Sequence, residues 1–520
     1  MKMTLMSLSM VLFLGGSSVA ASEVKSGKVL LYTTSGNYVD SAVVGNLPDM
    51  VKFTHNGKKL ITANEGEPLS ESVDPEGSIS IITLGKNKRV KDVTTLGFHN
   101  VQIGEGVRIQ PGKTAAQDLE PEYVAISKNG KRAWVTLQEN NAIAYVDIKK
   151  KKITAVKSLG EVEWKDTLVD IADDGEANVV QGPENIFSLY MPDTIQSYKV
   201  KGKDYFVTAN EGDDREYNWY EDYEKASKLS LSDNLEASIG DNDTKKIRVL
   251  KDLGKNDNGV YEKLYMAGTR SFTIRDGKGK IVFDSGSAFE EKLASSYADV
   301  FNTRVDDTND QDDINELNDN NIPYEMIGDK AYFWEGVDAR SLKKGAEPEA
   351  LSLAKIGRKT YAYIGMEKQG GFMVYDITNP AKAKMVEYFN DIDYTALPSQ
   401  SGDLAPEGSV TFKQCGRHYL AVANELSSTL SIYRLSKKGK MRKVSSLKVG
   451  SFDKGASEIV DYDKKGKQLF VTNGEMKAVD IYDISNPANP VKKDAIDFSK
   501  YADSLQSISV KDGIVAIAVQ

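Results

Sequence analysis

Residues 47–65 read Leu47-Pro48-Asp49-Met50-Val51-Lys52-Phe53-Thr54-His55-Asn56-Gly57-Lys58-Lys59-Leu60-Ile61-Thr62-Ala63-Asn64-Glu65. A proline and an acid open the stretch. An apolar strand, an Asn-Gly turn and a second strand follow, and another acid ends it. A period of two with a turn between reads as a β-hairpin. The pattern recurs at Glu120-Pro121-Glu122 to Leu137-Gln138-Glu139, and at Met191-Pro192-Asp193 to Ala209-Asn210-Glu211. It returns at Glu347-Pro348-Glu349 to Gly365-Met366-Glu367, Ala405-Pro406-Glu407 to Ala423-Asn424-Glu425, and Ala456-Ser457-Glu458 to Asn473-Gly474-Glu475. The two acids stand roughly 16–18 residues apart in every copy, which suits a hairpin and not a helix. A degenerate copy runs from Arg270-Ser271-Phe272 to Asp284-Ser285-Gly286, and with it seven units are countable.

Third strands follow several hairpins. Residues 142–148, 372–377, 430–435 and 479–484 alternate apolar and polar. Two of them run into Asp-Ile-Thr/Ser-Asn-Pro, where proline stops the ladder. Units of roughly 40–50 residues with three or four strands predict an all-β, seven-bladed β-propeller. The chain ends support closure. Residues 505–510 and 513–519 look like the first two strands of a blade; residues 28–34 and 38–44 look like the third and fourth. A last blade shared between N- and C-terminus would remove two open sheet edges.

Composition narrows the chemistry. The 520 residues carry 67 Lys+Arg against 76 Asp+Glu, a net charge of −9, with no long basic run. That argues against nucleic acid and an anionic membrane as partners. A single cysteine, Cys415, excludes an internal disulfide framework and a Cys-based zinc site. His55, His99 and His418 are too few for a His-rich metal centre. No Gly-x-Ser-x-Gly elbow with a usable histidine, Rossmann or P-loop fingerprint is present. Lys2, the apolar run 5–14 and the small residues Ser18-Val19-Ala20-Ala21 read as a signal peptide over 1–21. The expected mature protein, 22–520, is one exported propeller domain, periplasmic or extracellular, monomeric and without a membrane span. Insertions interrupt it at about 158–190, 218–258 and 289–335. The second reads as partly helical through Tyr220, Tyr223 and Leu229, and 289–300 reads as a helix. The acidic run 306–313 resembles a calcium loop in composition but lacks the Gly and closing Glu of an EF-hand at the required spacing, and reads as a solvated acidic loop.

The longer motifs resemble the choice-of-anchor I family of secreted bacterial β-propellers, which also takes in the mesenchyme-specific cell-surface glycoprotein type. The resemblance rests on Gly45-Asn46-Leu47-Pro48-Asp49-Met50, Ala63-Asn64-Glu65-Gly66-Glu67-Pro68, and Ala209-Asn210-Glu211-Gly212-Asp213-Asp214-Arg215-Glu216-Tyr217. Gly268-Thr269-Arg270-Ser271-Phe272, Arg340-Ser341 and Lys344-Gly345-Ala346-Glu347-Pro348-Glu349 add to it. It covers nearly the whole mature chain. Some members carry an alkaline-phosphatase label, so the resemblance implies phosphomonoester hydrolysis as one activity. Two departures stand out. The blade that often comes first in members lies last here, around 456–484. Members often end in a surface-anchoring segment, and the sequence ending at Val519-Gln520 is expected to do without one.

In a propeller blade the start of the first strand and the end of the second share one rim of the central channel. The repeat therefore predicts six carboxylate pairs there: Asp49/Glu65, Glu122/Glu139, Asp193/Glu211, Glu349/Glu367, Glu407/Glu425 and Glu458/Glu475. Like charges about 4 Å apart repel by several kcal/mol near a protein surface. Raised pKa values, pairing with Arg or Lys, or bound cations would relieve this. Hard oxygen ligands point to Ca²⁺ or another divalent cation. The other reading makes each acid an acceptor for backbone N–H groups that tie blades together. Arg215, Arg270 and Arg340, with Lys344, are candidates to clamp an anionic substrate, or else partners of rim acids. Glu211 is the candidate general base. Two functions follow: a metal-dependent phosphoester hydrolase, or a non-catalytic propeller that binds a surface ligand or protein.

Overall fold

The computed structural model describes residues 24–240, 244–500 and 502–520. The expected signal peptide lies outside the described residues. Strands dominate, and helices are short. Seven antiparallel four-stranded sheets are present among the described residues. Sheet 1 comprises Met50–Phe53, Lys59–Asn64, Ser78–Leu84 and Val90–Leu96. Sheet 2 comprises Val124–Ile126, Arg132–Leu137, Ala142–Asp147 and Lys152–Ser158. Sheet 3 takes Ile195–Val200, Lys203–Asn210, Ser271–Asp276 and Ile281–Asp284. Sheets 4, 5 and 6 begin at Pro348–Ile356, Pro406–Gln414 and Val460–Asp463. Sheet 7 joins Leu505–Lys511 and Ile514–Val519 to Lys28–Thr33 and Tyr38–Val43.

The arrangement is propeller-like. The first strands touch in the order of sheets 1 to 7, and that of sheet 7 touches that of sheet 1. An apolar core fills each junction. Ile61, Ile81, Val135 and Ala144 lie between sheets 1 and 2; Trp134, Ile195 and Phe206 lie between 2 and 3. Phe272 and Ile364, Tyr363 and Val422, Ala421 and Val471, and Phe470 and Ile517 mark the next four junctions. Val29, Leu31 and Ala516 of sheet 7 pack with Val51, Leu60 and Ile82 of sheet 1. Alternation along each strand sends one set of side chains to each neighbouring sheet, so both faces are apolar.

The shared terminal sheet has the expected strands. Lys28–Thr33 pairs with Ile514–Val519 in continuous antiparallel register, with Leu31 opposite Ala516. The degenerate copy Arg270–Gly286 is not a unit of its own. Its strands are the third and fourth of sheet 3, placed beside Lys203–Asn210 after a long excursion. The terminal sheet, not this segment, completes the seven.

The excursions build small structures outside the ring. Segments 158–190 and 218–258 share a core of Trp164, Ile186, Leu235, Ile247 and Leu264. Tyr220 and Tyr223 lie on short strands and not on the expected helix, because residues 223–225 pair with Arg248–Leu250. The helix comes later, at Asp233–Ile239, capped by Ser232. The expected helix over 289–300 is present at Ala288–Tyr297. The acidic run 306–313 is not a loop. It continues strand Val305–Thr308 into helix Gln311–Asp319, whose first turn is capped by Asp310. No helix among the described residues is long and apolar enough to cross a membrane.

Candidate functional site: a carboxylate ring at the channel mouth

One local device places the acids. The residue before the proline is left-handed at Leu47, Met191, Glu347 and Ala405, with φ of 44°, 40°, 54° and 53°. Proline fixes the next φ, and the acid follows at the strand start. The left-handed residue's carbonyl accepts an N–H from the end of the second strand: Leu47 from Glu65, Glu347 from Glu367 and Ala405 from Glu425, each at 2.8 Å, and Met191 from Gly212 at 3.0 Å. The hydrogen bond draws the two acids of each pair toward one end of the sheet. In sheets 4 and 5 the register breaks between Pro348 and Leu351 and between Pro406 and Ser409. These bulges fall on Glu349 and Glu407 and re-aim them.

The Asn before the second acid is buried and structural. Asn64 Nδ2 donates to Ser78 and Ser80 Oγ, Asn210 Nδ2 to Ser271 Oγ and Thr273 Oγ1, and Asn424 Nδ2 to Thr429 Oγ1 and Ser431 Oγ. Each locks the second strand to the third below its acid.

The acids form a ring within electrostatic reach of one another. Burial, then Glu67, Asp49, Glu120 and Glu139, push Glu65 well above the usual carboxylate range. Burial, then Glu139 and Asp193, do the same to Glu122. Burial raises Asp193 beside Glu211, Glu349 beside Glu367, and Glu407 beside Glu425 and Glu458. Asp49 and Glu425 are pushed up to about 7 and Glu458 to about 8, burial again leading. Glu139 rises to about 7 although Arg215 pulls it down. Glu211 rises to about 7 against the pull of Lys344, and its Oε2 accepts from Gln138 Nε2 at 3.0 Å. Glu122 Oε2, Glu139 Oε2 and Glu349 Oε2 are buried with no hydrogen-bond partner among the described residues.

Glu475 does not join the ring. It is exposed, and its carboxylate accepts from Ser451 N at 2.9 Å and Ser451 Oγ at 2.7 Å. An extra residue, Gly474, separates it from Asn473 and turns it outward. In sheet 7 Gln520 follows the second strand, and its Oε1 accepts from Leu47 N at 2.9 Å.

Arg215 and Arg270 correct the expectation of a phosphate clamp. Arg215 is buried; Nη2 meets Asp118 at 3.1 Å, Nη1 meets Asp222 at 3.4 Å, and Nε lies 3.8 Å from Glu120. Arg108 shares Asp222, at 2.6 Å. Arg270 pairs with Glu290 at 2.6 Å and donates to the carbonyls of Asp170, Ser341 and Lys343. Both forks are committed to holding the insertions on the ring. Arg340 pairs with Glu347 beside the mouth. The other basic groups there are Lys344 and Lys368, the latter paired with Glu367.

Several site residues escaped the sequence reading. Glu347 stands with Glu211 and Glu367, with one carboxylate oxygen of each lying within 4.8 Å of the others. Its place before Pro348 was visible, but nothing marked it as facing the mouth. Glu67 and Glu120 belong to the same cluster. Tyr123, next to Glu122, lines a cavity with Met50, Leu351, Glu407 and Ile508 from four other sheets, and so stands in the channel.

A family model described as the choice-of-anchor I domain matches residues 16–380, and the chain belongs to that family. A model of the LVIVD repeat matches residues 466–497, in sheet 6. Over 135 residues the chain is 27% identical to Gigasin-3a of Magallana gigas; the match covers 26% of this chain and 40% of that protein, less than half its length. Among solved structures, a putative 6-phosphogluconolactonase from Bacteroides uniformis is similar with a TM-score of 0.46 and 10% identity, over 91% of this chain and 96% of that one. The periplasmic gluconolactonase of Pseudomonas aeruginosa gives 0.45 and 10% over the same shares.

Proposed function

We propose that this choice-of-anchor I chain is an exported, monomeric, single-domain propeller of seven blades whose acidic channel mouth binds a divalent cation, Ca²⁺ first, and hydrolyses a small phosphomonoester there. The seven apolar junctions between successive sheets support the blade count and the single domain. The observation that carries the cation reading is the set of buried oxygens on Glu122, Glu139 and Glu349 that accept no N–H or O–H among the described residues, with the Glu122 and Glu139 carboxyls meeting each other. Backbone tie-down, the competing role, would have given these oxygens N–H partners, as it does for Glu475.

Asp49, Glu65, Glu122, Glu139, Asp193, Glu349, Glu407, Glu425 and Glu458 are the proposed ligand set, with Glu211 and Glu367 at its edge. Oxygen donors of this kind suit a hard cation. A cation held there would offset the repulsion and polarise an ester oxygen. Glu211, poised at about 7, is suited to accept a proton from an attacking water near neutral pH. Lys344 and Lys368, not Arg215 or Arg270, are the cations at hand to meet the phosphate.

The test is hydrolysis of p-nitrophenyl phosphate between pH 6 and 10 after EDTA dialysis, with and without Ca²⁺. Turnover lost on chelation and restored by Ca²⁺ is the expected result. Folded, Ca²⁺-loaded protein that hydrolyses no phosphoester would leave the non-catalytic, ligand-binding propeller as the reading.

A further inference from the structure

Beside the acidic mouth lies a pocket of opposite sign. Arg248, Arg340, Lys343 and Lys344 line it, with Val249, Leu250 and Ala267 as its apolar part and Asp214 as its acid. The groups come from two places in the chain. The insertion strand Arg248–Leu250 supplies one side, and the segment leading into sheet 4 supplies the other.

Two of the cations there keep donors without acceptors among the described residues. The Lys343 ammonium makes no hydrogen bond or ion pair among the described residues, and burial together with Arg340 and Arg304 draws it down to about 7. Arg340 is 1% exposed; it gives Nη2 to Glu347, but its Nε has no acceptor among the described residues. Burial and Arg304 lower it to about 9. Arg248 lies over the Tyr223 ring, and its Nη2 stays 3.8 Å from Asp214 and 3.9 Å from Glu216, beyond hydrogen-bond reach. Arg304 stands behind, already held by Asp306 and Glu335, each at 2.8 Å. Burying like charges side by side with donors left unfilled is costly. An unfilled guanidinium N–H and a free ammonium on one wall are the donors an oxyanion takes.

We infer that this pocket binds a small oxyanion, the phosphate or carboxylate group of a ligand, between Arg248, Arg340 and Lys343. Lys344 forms the partition between this pocket and the mouth. Its Nζ meets Asp213 at 2.8 Å, Glu347 at 3.3 Å and Glu211 at 3.6 Å. An anionic group seated in the pocket therefore lies one side chain away from the carboxylate ring. The pocket's charge does not depend on a cation in the mouth, so the two readings can fail separately.

The experiment titrates the full chain, stripped of cations with EDTA and then dialysed into chelator-free buffer, at pH 7 and constant ionic strength, with inorganic phosphate, acetate or chloride, read by calorimetry and thermal shift. Saturable binding of phosphate, with chloride inert, is expected. Lys343→Met and Arg248→Met should each weaken it at least tenfold. The Lys343 ammonium has no partner to lose among the described residues, so its variant should keep the wild-type circular dichroism. Acetate binding as tightly as phosphate would support the site and assign it to carboxylates. Absence of saturable binding by either oxyanion, or affinity unchanged in both variants, would overturn the inference whatever Ca²⁺ does at the mouth.

Discussion

Lys344 Nζ stands 3.6 Å from Glu211 Oε1, and that pair is the seam between the acidic mouth and the basic pocket. Lys344 also compensates Asp213 and Glu347. Lys344→Met leaves three crowded carboxylates facing one another. Removing one partner of a buried ion pair costs about 3–5 kcal/mol. The loss should be largest at pH 8 and smaller at pH 5.5, where protonation relieves the repulsion. Urea unfolding at the two pH values checks it; equal losses would refute the coupling.

The ring carboxyls give a pH dependence with a definite sign. Asp49, Glu139, Glu211 and Glu425 sit near 7 and Glu458 near 8, all above their unfolded values of 3.8 or 4.5. The folded state therefore holds extra protons between those limits. Their contribution is fully present below about pH 4 and is lost as pH rises through 7 to 8. Melting of EDTA-treated protein should fall from pH 5.5 to 8.5. Ca²⁺ should recover the alkaline loss, by about 2.7 kcal/mol at a hundredfold excess over Kd. A melting temperature indifferent to chelator and Ca²⁺ at pH 8 would end the cation reading.

Glu211→Gln keeps the shape and the Gln138 contact and removes the titrating group. The fold should survive, and kcat/KM for a phosphomonoester should drop at least about a hundredfold. Arg270→Ala should act differently. It strands Glu290 and the carbonyls of Asp170 and Ser341, so it should lower stability by about 3 kcal/mol or more and not raise KM selectively. A stable Arg270→Ala protein with only a raised KM would return Arg270 to the substrate.

Closure of the ring is open to deletion. Loss of 505–520 removes two strands of sheet 7 and empties the junctions lined by Ile517 and Ala516. Stability should fall by several kcal/mol. The milder Ile517→Ala, at a fully buried site, should cost about 2–5 kcal/mol. Unchanged melting of the truncated chain would show that sheet 7 does not close the structure.

Asn210 tests the strand lock. Asn210→Ala leaves Ser271 and Thr273 without their shared donor, and should cost about 1–3 kcal/mol. Because Glu211 is its neighbour, a fall in Ca²⁺ affinity is expected too, measured by calorimetry.

The sequence by itself determined the strand architecture and the positions of the ring. A period-two pattern broken by a glycine turn has few other foldings, and its recurrence fixed the acids at equivalent corners of successive sheets. Asp49, Glu122, Asp193, Glu349 and Glu407 were legible because each follows a proline that starts a strand, and Glu65, Glu211 and Glu425 because each follows a buried Asn. The terminal strands were legible as halves of one sheet. What was not legible depended on which segments meet across long separations. Arg270–Gly286 resembles a repeat locally, yet pairing with Lys203–Asn210 makes it half of sheet 3. Arg215 and Arg270 look available in one dimension, and only the tertiary structure brings Asp118, Asp222 and Glu290 against them. Glu475 keeps the motif's spacing, but one additional residue turns it to Ser451. The basic pocket is the clearest case, since Arg248 and Lys343 come from an insertion and a linker with no shared pattern. Local pattern dictates secondary structure through backbone geometry and burial. Charge pairing is decided by distance in space, so only the folded chain settled which cations are paired and with which acids.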